Sequence, residues 1–179
     1  LSDIAFTLAL GRHTFTQRRA FVVNNADDAA KCLTYPGAAA PFIDDRPTVW
    51  MFPGQGTQYL GMGEVLAKSE PAFETALAKA AEALMRFGAP DIRTIIWPST
   101  RNEEAKELLT RTTNTQTAIF AIEYALAELW RSWGIVPKGV LGHSIGEFCA
   151  AVVAGVMSLE DAARLVTARG RMMQTMPGG

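Results

Sequence analysis

The sequence predicts an α/β fold, a parallel sheet flanked by helices and preceded by a small α/β unit. Three observations carry that expectation. Short apolar, strand-like runs alternate with segments of helical period, the pattern of a sheet whose strands are joined by helical crossovers. Two of those runs stop at turns made for unusual backbone geometry, Pro53-Gly54-Gln55-Gly56 and Gly142-His143-Ser144-Ile145-Gly146. The 179 residues are enough for one sizeable core and an appendage.

Taken in order, Leu1 to Leu10 is helix-like, Arg18 to Val23 is a short β-prone run, and Asp27 to Leu33 suits a second helix. Tyr35 to Pro47 holds three prolines, a glycine and three consecutive alanines without periodicity, and reads as a linker. A boundary near Arg46 therefore separates a small unit, 1–46, from a larger one, 47–179. Thr48 to Phe52 is an apolar strand running into Pro53. Glu70 to Phe87 is an amphipathic helix stopped by Gly88 and Pro90. Thr115 to Trp133 places Ile119, Ile122, Leu126, Leu129 and Trp133 on one helical face, with Gly134 at the stop position. Lys138 to Leu141 is a second strand, Phe148 to Val153 a small apolar helix, and Ser158 to Asp161 a capping box opening a helix through Met173.

Composition narrows the function. The chain carries 17 basic and 18 acidic residues, with no basic run and no interleaved aromatic stripe, so nucleic acid is not an expected partner. The longest apolar run, Phe148 to Met157, is too short to span a bilayer, and no membrane association is expected. Leu1 to Leu10 carries Asp3 and lacks the basic start of a signal peptide. Cys32 and Cys149 lie far apart, Cys149 reading as a small buried hydrophobe, and a reducing cytoplasm fits best.

The chemistry centres on Ser144. A strand, a glycine two residues either side of a serine, then a helix make a nucleophile elbow: the glycines remove side chains that would clash in the tight turn. The helix start then offers free N–H groups and a positive dipole end to a developing oxyanion. Gln55, in the turn after the other strand, reaches the same sheet edge, so Gln55 and the Ile145 N–H are candidates for an oxyanion hole. Arg169 lies four residues from both Leu165 and Met173, which sets a guanidinium among hydrophobes and suits a carboxylate-bearing acyl group. Gln116, opening its helix, is a candidate for lining the crevice. On spacing alone the plainer readings lead: a tight turn at Gln55, a surface arginine beside Arg171, a solvent-facing Gln116. Only two histidines exist, His13 and His143. His143 precedes the nucleophile and points away along the strand, so it stands as a substrate-lining candidate rather than a general base. No metal ligand set is implied.

Phe52 to Gln58, Thr115-Gln116, Gly142 to Glu147 and Arg169-Gly170-Arg171-Met172-Met173, in that order, resemble the acyltransferase domain of modular type I polyketide synthases and the malonyl-CoA:acyl-carrier-protein transacylases. Asp3 to Arg12 with Arg18 to Val23 resembles the linker between ketosynthase and acyltransferase. The resemblance implies an α/β-hydrolase-like core, here partial, lacking a ferredoxin-like subdomain, the catalytic histidine and a specificity loop. It implies that Ser144 carries the acyl ester, that Gln55 and Ile145 hold the oxyanion, that Arg169 pairs with the carboxylate of a malonyl-type group, and that Gln116 lines the site. These implications reverse the plainer readings. Ile145, aliphatic after the serine, tilts toward malonyl. Malonyl-CoA as donor, the phosphopantetheine of an acyl carrier protein as acceptor and a neighbouring ketosynthase follow as expected partners, with no permanently bound cofactor. Two alternatives remain: a serine esterase of the α/β-hydrolase type, or a non-catalytic structural piece.

Overall fold

The computed structural model describes residues 1–13, 15–35, 37, 40–41 and 46–176, in two compact units, Leu1–Arg46 and Pro47–Gly179. In the first unit, helix α1 (Ser2–Leu10), strand β1 (Gln17–Arg18), helix α2 (Ala26–Thr34) and strand β2 (Ala40–Pro41) follow one another. β1 pairs antiparallel with β2, Gln17 opposite Pro41. The Asn25 side chain accepts from the Asp28 N–H at 2.9 Å and caps α2. The strand expected over Arg18 to Val23 is only two residues long. Phe21 and Val22 lie exposed instead, with no partner strand among the described residues to hold them. Within the linker read over Tyr35 to Pro47, β2 is an added short strand, and 36, 38–39 and 42–45 lie outside the described residues.

The second unit is an α/β body with a small parallel sheet. Strand β3 (Val49–Phe52) is followed by helices α3 (Glu64–Ser69), α4 (Pro71–Arg86), α5 (Ile92–Ile96), α6 (Glu103–Thr110) and α7 (Thr112–Ser132). Strand β4 (Gly139–Gly142) and helices α8 (Gly146–Val153) and α9 (Leu159–Gln174) complete it. β3 and β4 run parallel in the register Val49–Gly139 to Phe52–Gly142. Their connection passes through helices, as parallel neighbours require. Phe52 turns into the core while Val49, Met51 and Leu141 face out.

The core sits between α4, α7 and α9. Phe73, Leu84, Ile92, Ile96, Phe120 and Val166 are fully buried there. Pro71 opens α4, where its missing N–H costs nothing. Ser158 caps α9, its Oγ accepting from the Asp161 N–H at 3.0 Å. α7 begins one turn earlier than its apolar stripe suggests, because Asn114, Thr115 and Thr117 are buried and satisfied locally. Their side chains donate to Leu108 O, Leu109 O and Thr113 O at 2.8, 2.6 and 3.0 Å. α3, α5 and α6 are helices the sequence reading missed. Phe120 is 0% exposed, so Phe120→Ala should cost about 3–5 kcal/mol, read as a lower denaturant midpoint at unchanged m. A loss below about 1 kcal/mol would place Phe120 outside the cooperative core.

Candidate active site

β4 carries the chain directly into the elbow. The ladder to β3 is prolonged by the His143 N–H, which donates to Phe52 O at 3.0 Å. At Ser144 the backbone then takes φ 55°, the only positive φ of a non-glycine residue among the described residues. Such geometry costs about 1–3 kcal/mol and persists only where the surroundings impose it. The glycines either side show how. A Cβ at Gly142 would lie 2.3 Å from Glu147 Cα, and one at Gly146 would lie 2.2 Å from Phe52 O. Both obstacles are backbone, so only hydrogen fits. The elbow is thereby pressed against β3 and the first turn of α8.

The residues singled out in the sequence fall into one group and two neighbours. Ser144, Arg169, Gln116 and Gln55 form a continuous hydrogen-bonded line. The Arg169 guanidinium donates through one Nη to Ser144 Oγ at 3.0 Å and through the other to Gln116 Oε1. Gln116 Nε2 donates to Gln55 Oε1 at 3.0 Å. Arginine has no acceptor, so it fixes the orientation of both amides in turn. Gln116 must show oxygen to Arg169 and nitrogen to Gln55, and Gln55 is left with its own amide nitrogen as a free-facing donor group. Gln116 is 0% exposed, whereas Ser144 and Arg169 are half-buried and Gln55 is exposed. The line therefore runs from a rigid buried amide out to the surface.

Ile145 lies at the N-cap of α8 with its side chain fully buried, so its N–H is held at the helix start beside Ser144. His143 is exposed, and its ring stands against the turn after β3: a Cβ on Gly54 would come within 2.5 Å of His143 Nδ1. That turn is braced by Thr57 Oγ1 donating to Gly54 O at 3.2 Å and by the Gly56 N–H donating to Gln58 Oε1 at 2.8 Å.

Arg169 reaches the site by a different route from the one its spacing suggests. Leu165 and Met173 are 46% and 38% exposed, so they form no hydrophobic bed. α9 buries Ala162, Ala163, Val166 and Gly170 instead, and Arg169 leaves from the flank of that face. Gly170 makes the approach possible. A Cβ there would lie 3.2 Å from Thr113 Cα and 3.5 Å from Gln116 Cβ. A glycine inside a helix costs about 1 kcal/mol relative to alanine. It was the available signal that α9 packs closely on another backbone, and the sequence reading passed over it.

Cys149, three residues into α8, is fully buried, and burial pushes its thiol well above the ordinary range. It is inert as a competing nucleophile. A cavity of 740 Å³ lies along β3 and is not lined by Ser144.

Comparison with known proteins gives the family. A family model described as the acyl transferase domain matches residues 49–179, and one described as CurL-like, PKS C-terminal matches residues 1–33. The orsellinic acid synthase ArmB of Armillaria mellea is 41% identical over 178 residues, 97% of this chain and 8% of that protein. The mycoketide-CoA synthase of Mycobacterium tuberculosis is 48% identical over 132 residues, 74% of this chain and 3% of that protein. Among solved structures, the acyl transferase domain of ZmaA superposes with a TM-score of 0.90 at 36% identity, covering 100% of this chain and 42% of that one. FabD from Acinetobacter baumannii superposes at 0.62 with 39% identity, covering 73% and 38%. The chain thus spans less than a tenth of these curated relatives and about two fifths of these solved ones. With the matched family covering the whole of the second unit's sheet and elbow, the chain belongs to the acyl transferase domain family, among relatives that include polyketide synthases.

Proposed function

We propose that this chain forms the nucleophile-bearing part of an acyltransferase that moves a malonyl-type group from coenzyme A to the phosphopantetheine thiol of an acyl carrier protein. One observation carries the reading: a guanidinium held 3.0 Å from the elbow hydroxyl and oriented by a buried glutamine. An arginine so close to a nucleophile serves a substrate that brings its own carboxylate.

In the first half-reaction Ser144 Oγ attacks the thioester carbonyl. The oxyanion gathers on the Ile145 N–H and the Gln55 amide, and collapse expels the coenzyme A thiol, leaving malonyl esterified to Ser144. In the second, the carrier thiol attacks that ester and the serine is regenerated. Arg169 exchanges its bond to Ser144 for the acyl carboxylate, which frees the hydroxyl as it anchors the substrate. Among the described residues Ser144 Oγ bonds Arg169 and no imidazole or carboxylate; the reading assigns the general base to another part of the assembled protein. Residues 1–46 are read as a linker toward a ketosynthase. One solved relative is a malonyl-transacylase in complex with its acyl-carrier protein, which supports the carrier as partner.

The test is intact mass after incubation with malonyl-CoA, using this chain alone and the chain continued to the length of its solved relatives. A malonyl adduct on the longer chain that is absent from its Ser144→Ala variant is expected. No adduct on either, or an adduct that survives Ser144→Ala, would overturn the reading.

A further inference from the structure

α9 carries two arginines either side of a glycine, and they leave the helix in nearly opposite directions. Each residue turns about 100° around an α-helix, so Arg169 and Arg171 stand about 160° apart. Between them Gly170 is buried, its backbone pressed against Thr113 and Gln116 of α7. Arg169 reaches along one flank to Ser144 and Gln116. On the other flank Arg171 reaches the end of α4, where its Nη2 donates to Phe87 O at 3.0 Å and to Gly88 O at 2.8 Å.

The carbonyls that receive Arg171 are offered by a particular helix end. The Gly88 N–H donates to Met85 O at 2.9 Å and the Ala89 N–H to Leu84 O at 3.2 Å, a paired closure that takes Gly88 to φ 82°. That closure satisfies carbonyls inside α4 and leaves those of Phe87 and Gly88 to an outside donor. A Cβ on Gly88 would lie 2.5 Å from Arg171 Nη2, so the guanidinium rests on bare backbone at the negative end of the helix dipole. A cation with several donors and no acceptor suits such a pair.

α9 buries Ala162, Ala163, Val166, Thr167 and finally Gly170. Gly170 lets the helix approach α7 closely but has no side chain to interlock, so at the level of Arg169 packing resists a turn about the helix axis only weakly. The two hydrogen bonds on the far flank oppose that turn. We infer that Arg171 is a positioning residue: its hold on the end of α4 fixes the rotation of α9, and with it the reach of Arg169 to Ser144 Oγ. This rests on the acyl selection proposed above for Arg169, since a displaced guanidinium meets a malonyl-type carboxylate badly and costs acetyl little. A second tie between the same helices, Arg86 Nη1 to Glu160 Oε2 at 2.9 Å, lies at the opposite end of α9 from Arg171 and serves as its control.

Malonyl and acetyl transfer rates on the chain in its full-length setting decide it. Arg171→Met keeps an apolar stem and removes the donors, so the acetyl-to-malonyl ratio should rise about 10-fold. Arg171→Lys, which still serves one carbonyl, should recover most of the parent ratio. In an Arg169→Ala background Arg171→Met should shift the ratio by less than about 2-fold, because residues that act as one unit are not additive. Glu160→Gln, which breaks the distant tie, should leave the ratio where it is. A ratio unchanged by Arg171→Met but inverted by Arg169→Ala overturns the inference and spares the reading of Arg169. A ratio moved equally by Arg171→Met and Glu160→Gln, or moved by Arg171→Met as far without Arg169 as with it, also overturns it, as a general loosening of α9. A ratio that Arg169→Ala itself leaves unmoved removes both.

Discussion

Arg169→Ala should lower malonyl transfer to Ser144 by about 10²- to 10³-fold, the consequence of leaving a partly buried substrate carboxylate without its partner. Acetyl transfer should change far less, because acetyl offers nothing for a guanidinium to hold. The acetyl-to-malonyl ratio therefore inverts, and rates with the two coenzyme A thioesters on the chain in its full-length setting measure it. Arg169→Lys should fall between the two. It keeps the charge but not the planar fork that donates to Ser144 Oγ and Gln116 Oε1 together. A ratio unmoved by Arg169→Ala would remove Arg169 from acyl selection while leaving the serine's role intact.

The same substitution has a second effect that the geometry separates from the first. Without Arg169, Gln116 Oε1 is a buried acceptor with no donor, and Gln116 loses what orients it toward Gln55. A modest loss shared by all acyl groups should accompany the selective one. Gln116→Leu should show the shared loss without the inversion, since the guanidinium still meets a carboxylate. Orientation and selection thus reside in different members of one hydrogen-bonded line.

The parts of this site that rest on local rules were legible in the sequence. The elbow follows from two glycines and a strand, and the cap of α9 from Ser158 and Asp161, because strand ends and helix starts are decided within four or five residues. What depends on packing was not. Arg169 looked embedded because Leu165 and Met173 are apolar, yet both face outward, and a one-sided apolar spacing cannot say which stripe of a helix meets the core. Trp133 was read onto one face of α7 with Ile119 and Leu129; those two are buried and Trp133 is 51% exposed, while Ile122 and Leu126 on the same stripe line the cavity along β3. α5 is five residues long and α6 largely polar, so neither shows enough periodicity to be seen. Glu123, 6% exposed in α7, was invisible for a related reason. One glutamate in a long helix reads as a solvated position until its neighbours are known.

In this chain stability should fall as pH rises from about 4.5 toward 8, and Glu123→Gln should abolish that slope. Burial raises the Glu123 carboxyl from 4.5 to about 8. Between those values the folded chain keeps a proton that the unfolded chain has released, so the native state binds more protons and loses ground with every unit of pH. The contribution is fully present below the unfolded value, drains through the window and is gone above about 8. Its full extent is on the order of 5 kcal/mol. Other groups do not imitate it. Asp91, held low mainly by its hydrogen bond to Arg93, acts in the opposite sense and at lower pH. The Cys149 thiol, pushed up by burial, stays protonated across the whole window. Urea midpoints of the parent and Glu123→Gln chains at pH 5 and pH 9 measure the effect. The parent should be markedly weaker at the higher pH and the variant nearly level, whereas parallel profiles would mean that the carboxyl is hydrated in solution. A donor settling over Glu123 would let the carboxylate form at lower pH and flatten the parent's profile.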